Sequence, residues 1–239
     1  MKIKIIPCLT DNYSYIIIDE SNKKTCVIDP SEAEPVINYL EKNNLKLNWI
    51  LNTHHHYDHV GGNTLLKAKY NAKVIGFSDD YKRIPKIDIL VNDEEIWKED
   101  NFEAKIIHIP GHTLGHISFY FYKEKNLFTG DTLFSLGCGK IFEGTYLQMF
   151  NSLNKIKGLP LDTKIFCGHE YTLKNSEFCF KYDSKNKNLK KKIVEIKKKI
   201  KNKLPTIPTT IGEELDCNIF LRSNNLKTFS KLRDLKDNF

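Results

Sequence analysis

The stretch Thr53-His54-His55-His56-Tyr57-Asp58-His59-Val60-Gly61-Gly62 holds four of the chain's eight histidines and one aspartate within six residues. A packed core has little use for neighbouring imidazoles. A metal ion uses them directly, because neutral imidazole and carboxylate are ordinary zinc ligands. Trp49-Ile50-Leu51, just before it, is an apolar run that reads as a buried strand. The histidines are therefore expected in the loop where that strand ends. Gly61-Gly62 would let the chain turn and come close to whatever is bound there.

Working outward, the same arrangement recurs. Pro110-Gly111-His112-Thr113-Leu114-Gly115-His116 follows a strand predicted over 104–109. Thr129-Gly130-Asp131-Thr132 follows one over 126–128, and Cys167-Gly168-His169-Glu170 one over 164–167. Ligands at the ends of several strands converge on one sheet edge, where loop-built sites are found. Alternate residues of an extended segment share a face, so His54 and His56 can serve one ion. Asp58 and His59 lie past the turn and can serve a second, and Asp131, with two oxygens, suits a bridge. A donor set without thiolate fits zinc, and also iron or manganese.

The remainder reads as strands with interspersed helices, hence α/β with two sheets and helices outside. Strands are expected within 1–29, at 73–76 and at 117–122, and helices over 34–43, 61–70 and 146–157. Residues 78–103 carry short apolar runs broken by charge and give no clear pattern. After about 170 the pattern turns helical, over 170–182, 189–204 and 227–237. Two domains follow, a metal-binding one over 1–169 and a helical one over 170–239. No apolar run approaches the ~18 residues of a membrane span, and the N-terminus lacks a signal peptide's pattern. A cytoplasmic protein is expected, its six scattered cysteines reduced and buried. The net charge of +7 is mostly lysine, with Arg83, Arg222 and Arg233 the only arginines. Lys185 to Lys203 is basic but lacks aromatics for base stacking, so it reads as one amphipathic helix, not a nucleic-acid surface.

Residues 53–59 match T-H-x-H-x-D-H and resemble the metallo-β-lactamase superfamily. The resemblance implies an αββα sandwich over the first part of the chain. It implies His54, His56 and His112 on one metal, Asp58, His59 and His169 on a second, and Asp131 bridging. His55 would then point away, His108 would pack, and His116 would support the ligands or the fold. Seven ligands for two ions leave room for water, the mark of a catalytic site.

Several further stretches resemble the glyoxalase II, or hydroxyacylglutathione hydrolase, family. They are Leu9–Tyr13, Gly130–Phe134, Gly137–Gly144, Cys167–Thr172 and the terminal Leu232–Phe239. The family's reaction is hydrolysis of S-D-lactoylglutathione to glutathione and D-lactate, the second step of methylglyoxal detoxification. A hydroxide shared by two metals would attack the thioester carbonyl, with Asp58 and Asp131 as the carboxylates of the reaction centre. Lys140, Tyr171, Arg233 and Lys236 match glutathione-binding positions, and Phe142 stands where some members carry tyrosine. The partner implied is this small thioester, with the protein a monomer. A mononuclear-iron persulfide dioxygenase of the same superfamily is the rival enzyme. The complete second-metal set and the lysine in Gly137–Gly144 argue against it.

Overall fold

A computed structural model describes residues 1–239. The chain forms two compact units, Met1–His108 with Gly115–Glu124, and Ile109–Leu114 with Lys125–Phe239. The expected boundary at 169/170 lies inside the second unit.

The first unit is built on a six-stranded sheet in the order β1 to β6. Strands β1 (Lys2–Cys8), β2 (Asn12–Ile18) and β3 (Thr25–Ile28) run antiparallel. From β3 onward the pairing turns parallel, through helix α1 (Ala33–Lys42), β4 (Trp49–Leu51), helices α2 (Tyr57–Val60) and α3 (Asn63–Tyr70), and β5 (Lys73–Phe77). β6 (Ile89–Val91) closes it. A parallel strand covered on both faces needs apolar residues on both, and all three residues of β4 are buried. Ile50 packs into the cluster of Val27, Val36, Leu40, Leu66 and Val74 beneath the helices. Trp49 faces the other way, its ring edge-on to Trp97 at 6.0 Å and Phe102 at 5.5 Å. Those residues belong to a second, antiparallel layer of β7 (Ile96–Glu99), β8 (Phe102–His108) and β9 (Ile117–Phe121).

The second unit has β10 (Asn126–Gly130), the short hairpin β11 (Leu133–Phe134) and β12 (Gly137–Cys138), and helix α4 (Tyr146–Lys157). They are followed by β13 (Lys164–Cys167), α5 (Thr172–Tyr182), α6 (Lys187–Lys201), β14 (Thr209–Thr210), α7 (Ile211–Cys217) and α8 (Leu226–Asp237). β13 is parallel to β10 and antiparallel to β14. A complete capping box at Thr145 and Gln148 starts α4, and a second at Thr210 and Glu213 starts α7. None of the six cysteines is in a disulfide, and all are buried. No helix is long and apolar enough to cross a membrane.

Two findings differ from the sequence reading. The hairpin β11–β12 and helix α7 have no counterpart among the expected elements, because two-residue strands and a seven-residue helix carry too little periodicity to register. Gly61 and Gly62 have ordinary helical backbone angles. What they permit is close packing on the protein's own backbone. A Cβ at Gly61 would lie 2.5 Å from the Ser31 carbonyl oxygen, and one at Gly62 2.9 Å from that of Pro30. Gly62 N–H donates to that Pro30 oxygen at 2.8 Å, which ties the ligand loop to the end of β3. Gly61→Ala is therefore expected to destabilise the protein by about 1–3 kcal/mol in urea unfolding. Gly158→Ala, where the nearest atom lies at 3.4 Å, should be neutral or slightly stabilising.

Candidate metal centre and anion cavity

In the first unit the ligand candidates are placed by two adjacent parallel strands. The β3–β4 register sets Ile28 beside Leu51, and Asp29 N–H donates to the Leu51 carbonyl at 3.0 Å. Asp29 therefore emerges next to the segment leaving β4. Its backbone is left-handed, φ +47, a conformation aspartate tolerates better than most residues. Its carboxylate is 2% exposed and takes three donors. Thr53 N–H donates to Oδ1 at 2.7 Å, Thr53 Oγ1–H to Oδ2 at 2.6 Å, and His59 Nδ1 to Oδ2 at 3.0 Å.

These bonds decide tautomers. Thr53 has one hydroxyl proton and gives it to Asp29, so its oxygen accepts from His54 Nδ1 at 3.1 Å. His59 Nδ1 faces a carboxylate and must carry a proton as well. In both rings Nε2 is left with the lone pair that binds a metal, and Nδ1 bonded to an oxygen is the usual outer support of a metal-bound histidine. Ligand atoms of Asp29, His54 and His59 lie within 4.8 Å of one another. Because Asp29 is committed to Thr53 and to Nδ1 of His59, we read it as that support and not as a ligand.

The rings of His54 and His56 are 4.7 Å apart, and His59 Nε2 lies 3.6 Å from Asp58 Oδ2. Asn12 Nδ2 holds Asp58 by donating to Oδ2 at 3.0 Å and to its carbonyl at 3.1 Å. His55 is turned to another partner, with Nδ1 at 3.2 Å from Asp80 Oδ2. Asp80 is fully buried. Burial pushes its pKa up, but bonds from His55 and Arg83 and the Arg83 charge outweigh it and hold the pKa below the usual carboxylate range. His116 stacks on His54 at 4.6 Å, and His108 stacks on Phe77 at 4.6 Å.

The second unit supplies His112, Asp131 and His169. Asp131 and His169 follow the ends of the parallel strands β10 and β13, where Gly168 N–H donates to the Gly130 carbonyl at 2.9 Å. Gly130, at φ +46, makes the turn that a side chain would resist. Asp131 Oδ2 lies 3.3 Å from His169 Nε2 and 3.6 Å from His112 Nε2. His112 Nδ1 donates to the Lys140 carbonyl at 2.7 Å, so its Nε2 also keeps a lone pair. The first unit thus gathers Asp29, His54 and His59, and the second His112, Asp131 and His169, imidazole and carboxylate donors whose chemistry fits a divalent ion.

A cavity of about 380 Å³ in the second unit is lined by Phe134, Lys140, Tyr171, Lys174, Arg233, Lys236 and neighbours. Lys236 Nζ is buried without a hydrogen-bond acceptor, 5.1 Å over the Phe178 ring. Burial, then repulsion from Arg233 and Lys174, pulls its pKa down to about 8. Arg233 is 4% exposed and bonds to the protein itself, Nη1 to the Cys138 carbonyl at 2.7 Å and Nη2 to Asp237 at 2.9 Å. Tyr171 stacks on His169 at 4.7 Å. Phe142 is 61% exposed and stands edge-on to His112, with Lys140 Nζ 5.6 Å over its ring.

Asp29, Asp80 and Lys174 had no role in the sequence reading. Asp29 was visible only as the aspartate of Asp29-Pro30 ending a strand, and nothing local separates Lys174 from the many other lysines.

Residues 9–169 match the model of the metallo-beta-lactamase superfamily, and residues 170–239 match that of the hydroxyacylglutathione hydrolase C-terminus. The hydroxyacylglutathione hydrolase of Pelagibacter ubique (strain HTCC1062) is 68% identical over 239 residues, the whole of both chains. Among solved structures, ETHE1 from Myxococcus xanthus superposes with a TM-score of 0.75 at 22% identity, covering 98% of this chain and 90% of that one. TTHA1623, solved in a di-iron-bound form, gives 0.58 at 25% identity, covering 71% and 92%.

Asp29→Ala would leave Thr53 N–H, Thr53 Oγ1–H and His59 Nδ1–H without their acceptor. Metal affinity, read by competition with a chromophoric chelator, is expected to fall about ten- to hundred-fold. An unchanged affinity would remove Asp29 from the support of the ligands.

Proposed function

Because the chain belongs to the metallo-β-lactamase superfamily and, within it, to the hydroxyacylglutathione hydrolase family, we infer that it hydrolyses S-D-lactoylglutathione to glutathione and D-lactate. The observation that carries the choice of substrate is the cationic cavity, whose Lys236 ammonium lacks an anion. The glycine carboxylate of glutathione is such an anion.

His54, His56 and His112 are assigned to one divalent ion, Asp58, His59 and His169 to a second, and Asp131 to both. Zinc is the first choice for this nitrogen–oxygen set, ahead of iron and manganese. When bound, the ions supply an electrophile for the thioester carbonyl and acidify a water, so that hydroxide is available near neutral pH. Water adds to the acyl carbon, the carbon–sulfur bond breaks, and the glutathione thiolate leaves and takes up a proton.

The chain's own residues orient these parts. Asp29, through Thr53 and His59, and the Lys140 carbonyl, through His112, keep the imidazole protons on Nδ1. Asn12 fixes the rotamer of Asp58. Lys140, Tyr171, Arg233 and Lys236 form the glutathione end of the site, joined by Lys174. Phe142 lies beside His112 and offers a ring face where a tyrosine would offer a hydroxyl. The domain boundary at 169/170 separates the metal-binding part from the helical substrate-binding part. We read the protein as a cytoplasmic monomer. The lysines of α6 form a solvated face, one of them paired as Lys192 with Glu213 at 2.8 Å.

Thiol release from S-D-lactoylglutathione, with metal analysis on the same preparation, tests this reading. A protein that holds two ions but releases no thiol would overturn it. Asp131→Ala is expected to lose both metal occupancy and hydrolysis, and a variant keeping two ions and full turnover would remove Asp131 from the bridge.

Lys236 makes the reaction pH-dependent. Its folded pKa, about 8, lies below the ordinary 10.5. Between those values the unfolded chain holds a proton that the folded chain lacks, so its contribution to stability rises with pH across that window. A bound carboxylate favours the ammonium, so substrate binding takes up a proton above pH 8 and weakens as pH rises. KM is expected to climb above about pH 8. Lys236→Met should raise KM roughly ten- to hundred-fold, the loss of a charged hydrogen bond, and flatten that climb.

A further inference from the structure

We propose that Arg233 is a positioning residue for the metal ligands His112 and Asp131, acting through the strap Cys138–Lys140. The proposal rests on the reading of those two residues as ligands.

The guanidinium is committed to protein. It is buried, Nη1 donates to the Cys138 carbonyl at 2.7 Å and lies 3.4 Å from the Gly139 carbonyl, and Nη2 donates to Asp237. Nε is buried with no acceptor, and the guanidinium carbon lies 5.3 Å over the Phe220 ring. The two terminal nitrogens of Arg233 tie the Cys138 carbonyl to Asp237, with Nη1 also 3.4 Å from the Gly139 carbonyl, a task that suits a planar donor set.

The gripped peptides are those that touch the ligands. Gly139 N–H donates to the Thr132 carbonyl at 3.1 Å, directly after Asp131. A Cβ at Gly139 would lie 1.8 Å from the Asp131 carbonyl oxygen, so only glycine lets the strap lie this close. The next carbonyl, that of Lys140, accepts the proton of His112 Nδ1. On the other side the strap continues from a hairpin held by α7. Glu214, fully buried, accepts from Leu136 N–H at 2.8 Å, and Asn218 Nδ2 donates to the Gly137 carbonyl at 3.1 Å. A line of backbone contacts therefore runs from α8 to two metal ligands, with Arg233 at its head. Lys236, one turn further along α8, makes no such contact. Both cations line the cavity, and Arg233 in addition holds the imidazole and the carboxylate in place.

The role of Arg233 is tested first on purified protein without substrate and then by steady-state kinetics. Arg233→Met, Arg233→Lys and Lys236→Met are titrated with zinc against a chromophoric chelator, and the visible spectrum of each cobalt-substituted form is recorded. Arg233→Met is expected to bind zinc about ten- to hundred-fold more weakly, with an altered cobalt spectrum and a fall in kcat. Arg233→Lys, which keeps the charge but cannot serve the Cys138 carbonyl and Asp237 with separate nitrogens, should lie between it and the parent. Lys236→Met should keep the parent's zinc affinity and spectrum and change KM alone. If Arg233→Met does not fold, Arg233→Lys carries the test and must bind zinc several-fold more weakly than the parent. Parental zinc affinity and cobalt spectrum in the Arg233 variants, with only KM changed, would overturn the proposal. The zinc titration and the cobalt spectrum need no thioester, so they stand apart from the identity of the substrate.

Discussion

The ligand loop depends on one buried carboxylate. Asp29 is 2% exposed, and a charge that deep is tolerable only when its oxygens are filled by donors. Its donors are Thr53 and His59, from the two ends of the loop that carries the histidines. The loop is thereby pinned at both ends, and the protons of His54 and His59 are placed on the side away from the ligand nitrogens. The arrangement follows from strand register. Parallel strands emit their chains side by side at their carboxyl ends, so the residue after β3 meets the residues after β4. The left-handed turn at Asp29 then aims the carboxylate along that edge.

The second unit reaches the same end with different chemistry. Asp131 and His169 leave the carboxyl ends of parallel strands, as Asp29 and Thr53 do. Its histidine support is a peptide carbonyl, that of Lys140, in place of a carboxylate. A carbonyl carries no charge to neutralise, but it is only as well placed as the backbone that bears it. Glu214, Asn218 and Arg233 all converge on the residues leading to it, which is the reinforcement such a support needs.

Much of this was legible in the sequence, and the limits have a physical origin. Residues that bond to metal are chemically rare and occur together, so His54, His56, Asp58, His59, His112, Asp131 and His169 stand out without a structure. Long periodic segments such as α1, α4 and α6 were also readable, because their apolar spacing repeats. The residues that place the ligands were not. Asp29 acts through a register 24 residues from Thr53, and Arg233 through a carbonyl 95 residues away. Neither separation leaves a local pattern. The role of Arg233 shows the sharper limit. Its spacing from Lys236 correctly puts both on one helix, but spacing is silent on which of the two cavity-lining cations is also bonded to the protein.

That split also bears on stability. A lysine whose pKa falls to about 8 is one that the fold charges reluctantly, since burial and two neighbouring cations oppose its ammonium. Folding without a ligand therefore holds an unfavourable charge at neutral pH, and an anion at Nζ relieves it. An anion bound there would remove a cost that the fold already carries, so Lys236 is poorly placed for stability. Arg233 is the converse. Its hydrogen bonds to Cys138 and Asp237 exist before any ligand arrives, so it can hold the centre in shape through every turnover. Two cations three residues apart thus line one cavity from a single helix, one with acceptors in the protein and one without.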